Sequence, residues 1–313
     1  MKDKVRGKKK TLMAVVKMHT DELDIDAALV RRLLAAQFPQ WAGLTIEPVA
    51  SAGTDNALFR LGKEMAVRLP RIHWAIKDVE KNHRWLPRIA PFLPLAIPVP
   101  LGKGKPGAGY PWQWSVFRWL EGESATPENI IDPCQAATDL AQFIAALQQI
   151  DTAGGPTAAE ANVRGMPLAE RDMDTRNAIA ALQGMIDTEA AIKLWEEALQ
   201  VPEWEHQPVW FHGDMLPGNL LVEHGRLSAV IDFGGLAVGD PSCDLMIAWG
   251  LFSGESREVF RTALQVEDAT WLCGRAHALS QAVIFIPYYL NTNPVGVASA
   301  MHMLAEILAE YKY

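Results

Sequence analysis

The stretch Trp210-Phe211-His212-Gly213-Asp214-Met215-Leu216-Pro217-Gly218-Asn219-Leu220-Leu221 is followed, eighteen residues after Asp214, by Asp232-Phe233-Gly234. Leu227–Ile231, just before Asp232, is short and apolar, and the turn His224-Gly225 separates it from a second such run, Asn219–Val222. That pattern predicts a β-hairpin. It sets one carboxylate, Asp214, on a loop, an amide, Asn219, just beyond it, and a second carboxylate, Asp232, at a strand end. Phosphoryl transfer needs such a set. One carboxylate accepts the proton of the attacking hydroxyl, while an amide oxygen and a second carboxylate hold Mg²⁺ against the nucleotide phosphates. Each piece alone is weak, since a helix-capping Asp and a turn Asn recur by chance; the weight lies in the combination.

Working outward, Asp21 to Phe38 places Leu23, Ile25, Leu29, Val30, Leu33 and Leu34 near a 3.6 period and predicts an amphipathic helix ending near Pro39. Three β-like runs follow, Thr45–Ala50, Ala57–Leu61 and Glu64–Leu69, and read as an antiparallel meander. A helix is expected over Ile76–Leu86, then a Pro-rich stretch, then two strands flanking Gly102–Gly109, the second being the aromatic run Trp112–Leu120. After Gly122 the composition turns to Ala, Leu and Gln, with Ala136–Ile150 the clearest helix, and the only β interruption is Val209–Asp240. The expected architecture is α+β: a flexible basic tail at 1–20, a small β-rich part at 21–119 and a larger helical part at 120–313 carrying the loop with Asp214.

The phrases H-G-D-x-x-P-G-N-L-L-V, I-D-F-G and V-G-D-P-x-x-D-L (Val238 to Leu245) resemble the signature segments of the aminoglycoside phosphotransferase family, small-molecule kinases with a protein-kinase-like two-lobe fold. The resemblance spans about residues 21–310. It implies that Asp214 is the catalytic base, that Asn219 and Asp232 are Mg²⁺ ligands, that His212 orients the catalytic loop, and that Asp240 and Asp244 are structural clamps. ATP or GTP would be the phosphate donor and a small hydroxyl-bearing molecule the acceptor.

The N-terminal part carries matching features. Ala66 and Arg68 share one face of a strand by the period of two, where kinases place a phosphate-gripping Lys. Arg keeps the charge and can bind phosphate bidentately. The hydroxyl-rich turn with Ser51, Gly53 and Thr54 resembles the loop that covers nucleotide phosphates, and backbone groups of Phe117–Leu120, Trp119 included, would meet the adenine. The partner glutamate expected on the next helix falls at Asn82; Glu80 is the candidate substitute, although two residues turn a side chain about 200° around a helix. Gly102-x-Gly104-x-x-Gly107 matches a dinucleotide fingerprint by letter, but Pro106 lies inside it and a strand follows, so it reads as a hairpin loop.

Composition narrows the alternatives. The chain has 313 residues and a formal net charge of −8, of which the first ten residues contribute +5 and the remaining 303 hold −13. So acidic a body argues against a nucleic-acid partner. Hydrophobic residues are 49% and charged residues 21%, an ordinary globular balance with no apolar run long enough for a membrane span. Three isolated cysteines and no signal peptide point to the cytoplasm and against disulfides or a zinc site. The oligomeric state is left open. Aminoglycoside acceptors would need carboxylates, with Glu255, Glu258, Glu267 and Asp268 the candidates by position. A macrolide would want an apolar wall such as the Tyr288–Tyr289 segment, and metabolites such as choline, homoserine or sugars fit as well. A second reading is a nucleotide-binding pseudokinase or regulatory module without turnover, motivated by Asn82 and Arg68. A protein kinase is disfavoured because no A-P-E segment follows Asp232.

Overall fold

The computed structural model describes residues 22–49, 55–161 and 164–311. The basic tail and Ser51, Gly53 and Thr54 lie outside the described residues. Helix α1, Ala27–Gln37, begins later than the periodicity suggests because Asp26 caps it, its carboxylate accepting from Leu29 N at 2.7 Å. Strands β1 (Ile46–Pro48), β2 (Asn56–Leu61) and β3 (Met65–Pro70) form the expected meander, followed by α2, Ile76–Ile89. This helix runs three residues past Leu86 and through Pro87. Proline removes one backbone hydrogen bond. The apolar stripe of Trp85, Leu86 and Ile89 is nevertheless buried continuously against the helical part.

Strands β4 (Pro100–Gly104) and β5 (Trp114–Arg118) complete an antiparallel sheet of order β1-β2-β3-β5-β4. The Gly102–Gly107 segment is therefore a strand and hairpin, as its Pro106 requires. One core holds Leu29, Val30, Leu33 and Leu34 of α1 with Phe59, Val67, Trp114 and Val116 of the sheet. Phe117, next along β5, belongs with α2 to the larger core. The sheet thus has a helix on each face, and α2 joins it to the remainder of the fold.

The helical part begins after β6 (Glu123–Ser124) with α3 (Pro133–Gln148), capped by Asp132 accepting from Gln135 N at 3.0 Å. The short α4 (Ala158–Ala161), α5 (Asp172–Ala181) and α6 (Thr188–Leu199) follow. Its β interruption is richer than one hairpin. Strands β8 (Leu220–Glu223) and β9 (Arg226–Val230) form that hairpin with β6 alongside, while β7 (Val209–Phe211) pairs antiparallel with β10 (Ala237–Gly239). Helices α7 (Ile247–Gly250), α8 (Gly254–Leu264), α9 (Asp268–Tyr289) and α10 (Pro294–Tyr311) close the chain's described part. No described helix is long and apolar enough to cross a membrane.

Candidate active site

Two loops meet at the centre of the helical part. The first, between β7 and β8, carries His212, Gly213, Asp214 and Asn219; the second, between β9 and β10, carries Asp232 and Gly235. They cross so closely that a Cβ on Gly213, whose φ is +81°, would lie 2.4 Å from the Gly235 carbonyl oxygen. A Cβ on Gly235 would lie 2.7 Å from the His212 oxygen. Only glycine fits either position.

The fully buried Asp244 clamps the first loop: its two carboxylate oxygens accept from the backbone N–H groups of His212 and Gly213, each at 2.7 Å. Burial pushes the Asp244 carboxyl up, and His212 with these donors partly offsets the shift. Asp240 caps the adjoining turn, accepting from Ser242 N at 2.8 Å. His212, also fully buried, ties the loops together through Nε2 and the Ile231 carbonyl oxygen at 2.9 Å, while its Nδ1 accepts from Asp214 N at 3.2 Å. That pairing puts the proton on Nε2.

Asn219 Nδ2 donates to the Asp214 backbone oxygen at 2.8 Å and to its Oδ2 at 2.9 Å. Asn219 oxygen of the main chain accepts from Ile231 N at 2.8 Å, so hairpin and loop share one frame. On the other carboxylate oxygen, Asp214 accepts from Arg164 Nη1 at 2.5 Å, and Arg164 also donates to the Gly213 oxygen at 3.0 Å. Asp232, in the left-handed region at φ 60°, accepts from Arg68 Nη2 at 2.6 Å. Burial alone would raise its carboxyl, but the Arg68 charge outweighs this and holds it below the usual range.

Arg68 lies beside a small cavity lined also by Asn56, Asp78, Asn82, Ser115 and Phe117. Ala66 stands opposite Phe117 in the β3–β5 register, and the Trp119 ring lies under the Arg60 guanidinium at 4.5 Å. Glu80 is placed elsewhere: it is 65% exposed and pairs with Lys103 at 2.7 Å, on the side of α2 away from Asn82. Asn82 is buried, with an Oδ1 that lacks a partner among the described residues. The carboxylate on its face is Asp78, one turn earlier, which the sequence reading passed over although its i−4 spacing marks it. Asp78 pairs with Lys81 at 3.1 Å, and Lys81 donates to the Gly234 carbonyl oxygen, so α2 grips the Asp232 loop. Arg164 and its partner Gln281 carried no local signal, being brought to Asp214 from 50 positions before it and 67 after.

The donor set suits Mg²⁺. Because Asn219 gives both nitrogen bonds to Asp214, its Oδ1 could take a hard cation, with the Asp232 carboxylate able to serve as a second oxygen donor. No cluster of three or more His, Cys, Asp or Glu able to hold a metal occurs among the described residues.

The sequence profile of the phosphotransferase enzyme family matches residues 45–277, and the chain belongs to that family. It is therefore a phosphotransferase. Among solved structures, the GDP and kanamycin complex of APH(2'')-IIIa is 17% identical at a TM-score of 0.71, covering 90% of this chain and 98% of that one. The GDP complex of wild-type aminoglycoside 2'-phosphotransferase-IIIa is 18% identical at 0.70, covering 91% and 99%. The apoenzyme of a macrolide 2'-phosphotransferase from Brachybacterium faecium is 21% identical at 0.59, covering 88% and 97%. At such identities the likeness establishes the kinase-like two-lobe fold. No curated protein matches the chain.

Proposed function

We propose that the protein transfers the γ-phosphate of ATP or GTP, with Mg²⁺, to a hydroxyl of a small molecule, the nucleotide lying under residues 21–119 and the acceptor against residues 120–313. The observation that carries this reading is the convergence of Asp214, Asn219 and Asp232 on two loops that cross at Gly213 and Gly235. Asp214 is the base: it accepts the acceptor's hydroxyl proton, with Asn219 and Arg164 fixing the direction of its carboxylate. His212 and Asp244 hold the loop so that this carboxylate needs no rearrangement during the transfer. Arg68 exchanges Asp232 for phosphate oxygens when nucleotide arrives, and Asn219 with Asp232 would hold the metal. Mg²⁺, when bound, neutralises charge on the transferring phosphoryl group.

A hydroxyl-bearing small molecule as acceptor is suggested by the neighbours, whose structures include complexes with kanamycin and gentamicin. The pseudokinase alternative draws on Asn82, yet Asp78 and Lys81 supply a charged grip on the Asp232 loop from the same helix face. The test is nucleotide-dependent phosphorylation across a panel of aminoglycosides, macrolides and hydroxylated metabolites. Transfer to any member supports the reading; tight Mg-nucleotide binding with no acceptor in a broad panel favours the module without turnover.

A further inference from the structure

Past Asp214 the helical part holds a second polar cluster that proton transfer and phosphate binding do not use. Helix α9 presents His277, Ser280 and Gln281 at i, i+3 and i+4, one face of the helix. Gln281 Oε1 accepts from Arg164 Nε at 3.0 Å and Nη2 at 2.7 Å. Ser280 Oγ accepts from Arg171 Nε at 2.9 Å and bonds Thr175 Oγ1 at 2.8 Å. Two guanidiniums therefore stand side by side along α9, and among the described residues only one of them has a carboxylate at ion-pair distance. Arg164 is balanced by Asp214 at 2.5 Å. Arg171 has no carboxylate at ion-pair distance among the described residues, and its terminal nitrogens are uncommitted there.

The surroundings confirm how crowded this charge is. Burial first, then the Arg164 cation, draws Arg171 down to about 10, with the Asp174 charge only partly opposing them. Burial together with both arginines draws the neighbouring His277 down to about 3, so it stays neutral. His277 is 3% exposed, and its Nδ1 has no partner among the described residues. A half-buried cation with no carboxylate at ion-pair distance is costly. A planar guanidinium held by its Nε, with both Nη atoms open, is the geometry that receives a carboxylate or phosphate bidentately.

We propose that Arg171 is a specificity residue that binds an anionic group, carboxylate or phosphate, carried by the acceptor in addition to its reacting hydroxyl. This rests on the phosphotransferase reading above and names the acceptor class within it. A polycationic aminoglycoside would meet two arginines here, a like-charge contact that discriminates against it. One carboxylate that could have welcomed such a substrate is elsewhere: Asp268 is 99% exposed and paired with Arg261, thirteen residues before Gln281 on the same helix. That separation is about 20 Å along α9.

The experiment uses the full chain with Mg-AMP-PNP filling the donor subsites. Calorimetry then follows two probes, inorganic sulfate as the anion and kanamycin as the polycation. Wild type is expected to bind sulfate saturably and kanamycin not at all. Arg171→Gln is expected to weaken sulfate at least about tenfold, the scale of one charged hydrogen-bonding pair, and Arg171→Lys to restore part of it. AMP-PNP affinity should stay within about twofold in both variants, which separates an acceptor anion from the donor phosphates. Unchanged sulfate binding in Arg171→Gln, no sulfate binding in wild type, or tight kanamycin binding overturns the proposal. Failure of wild type to bind Mg-AMP-PNP overturns the phosphotransferase mechanism instead. If Arg171→Gln does not fold, Ser280→Ala, which removes the Nε partner together with the Thr175 contact, must weaken sulfate several-fold; an unchanged affinity overturns the proposal.

Discussion

Arg68 Nη2 and Asp232 Oδ1 are 2.6 Å apart although 164 positions separate them in the chain, and this contact joins the sheet to the loop that follows β9. The Asn56 amide oxygen, oriented to satisfy both atoms, accepts from Arg68 Nε at 3.2 Å and Nη2 at 2.9 Å, so the guanidinium is held in advance of any phosphate. A carboxyl held below its unfolded value of about 3.9 stabilises the fold above that pH and ceases to do so as pH falls through the lower folded value. Arg68→Ala is therefore expected to flatten the loss of stability below about pH 4 in urea titrations, and to raise nucleotide KM. A parent-like acid limb in Arg68→Ala would show that the pair does not operate in solution.

The grip of α2 on the second loop is separable from the exposed face of the same helix. Lys81→Ala frees the Gly234 carbonyl and is expected to raise nucleotide KM about threefold or more, the worth of one net hydrogen bond. Glu80→Ala should change neither kinetics nor stability by more than about 0.5 kcal/mol, since an exposed pair with Lys103 is worth little. Equal kinetic losses in the two variants would return Glu80 to the site.

Asp244 is the support whose loss is felt in both stability and turnover. Asp244→Ala strands two buried N–H donors, each costing about 1–3 kcal/mol, and should lower the urea midpoint accordingly. Gly213→Ala is expected to be as severe, because its Cβ would collide with the Gly235 carbonyl at a positive φ. A soluble Gly213→Ala protein with the parent's midpoint would contradict the crossing of the two loops.

Much of this was legible in the residues because the features were local. The hairpin follows from two apolar runs about His224-Gly225, and the spacing singles out Asp214, Asn219 and Asp232 as a set whose roles the family resemblance implies. The meander and the helix starting at Ile76 came from periodicity for the same reason. The β7–β10 pair escaped because each strand is three residues long and its partner lies across 26 positions. Capping by Asp26, burial carrying α2 past Pro87, and the turn of Glu80 to Lys103 are all decided by tertiary contacts. Arg164, Arg171 and Gln281 are ordinary residues in sequence; packing of α9 brings Arg164 with Gln281 to Asp214 and holds Arg171 on Ser280.

In the proposed function Asp214 acts as base while Asp232 and Asn219 serve the metal and nucleotide. The most direct test is Asp214→Asn measured two ways, kcat for transfer to an identified acceptor and Kd for Mg-nucleotide by calorimetry. A base acts in the transition state, so kcat should fall by about two orders of magnitude or more while Kd moves only a few-fold. Asp232→Asn is the counterpart and should weaken Mg-nucleotide binding itself. Wild-type kcat in Asp214→Asn would contradict the account.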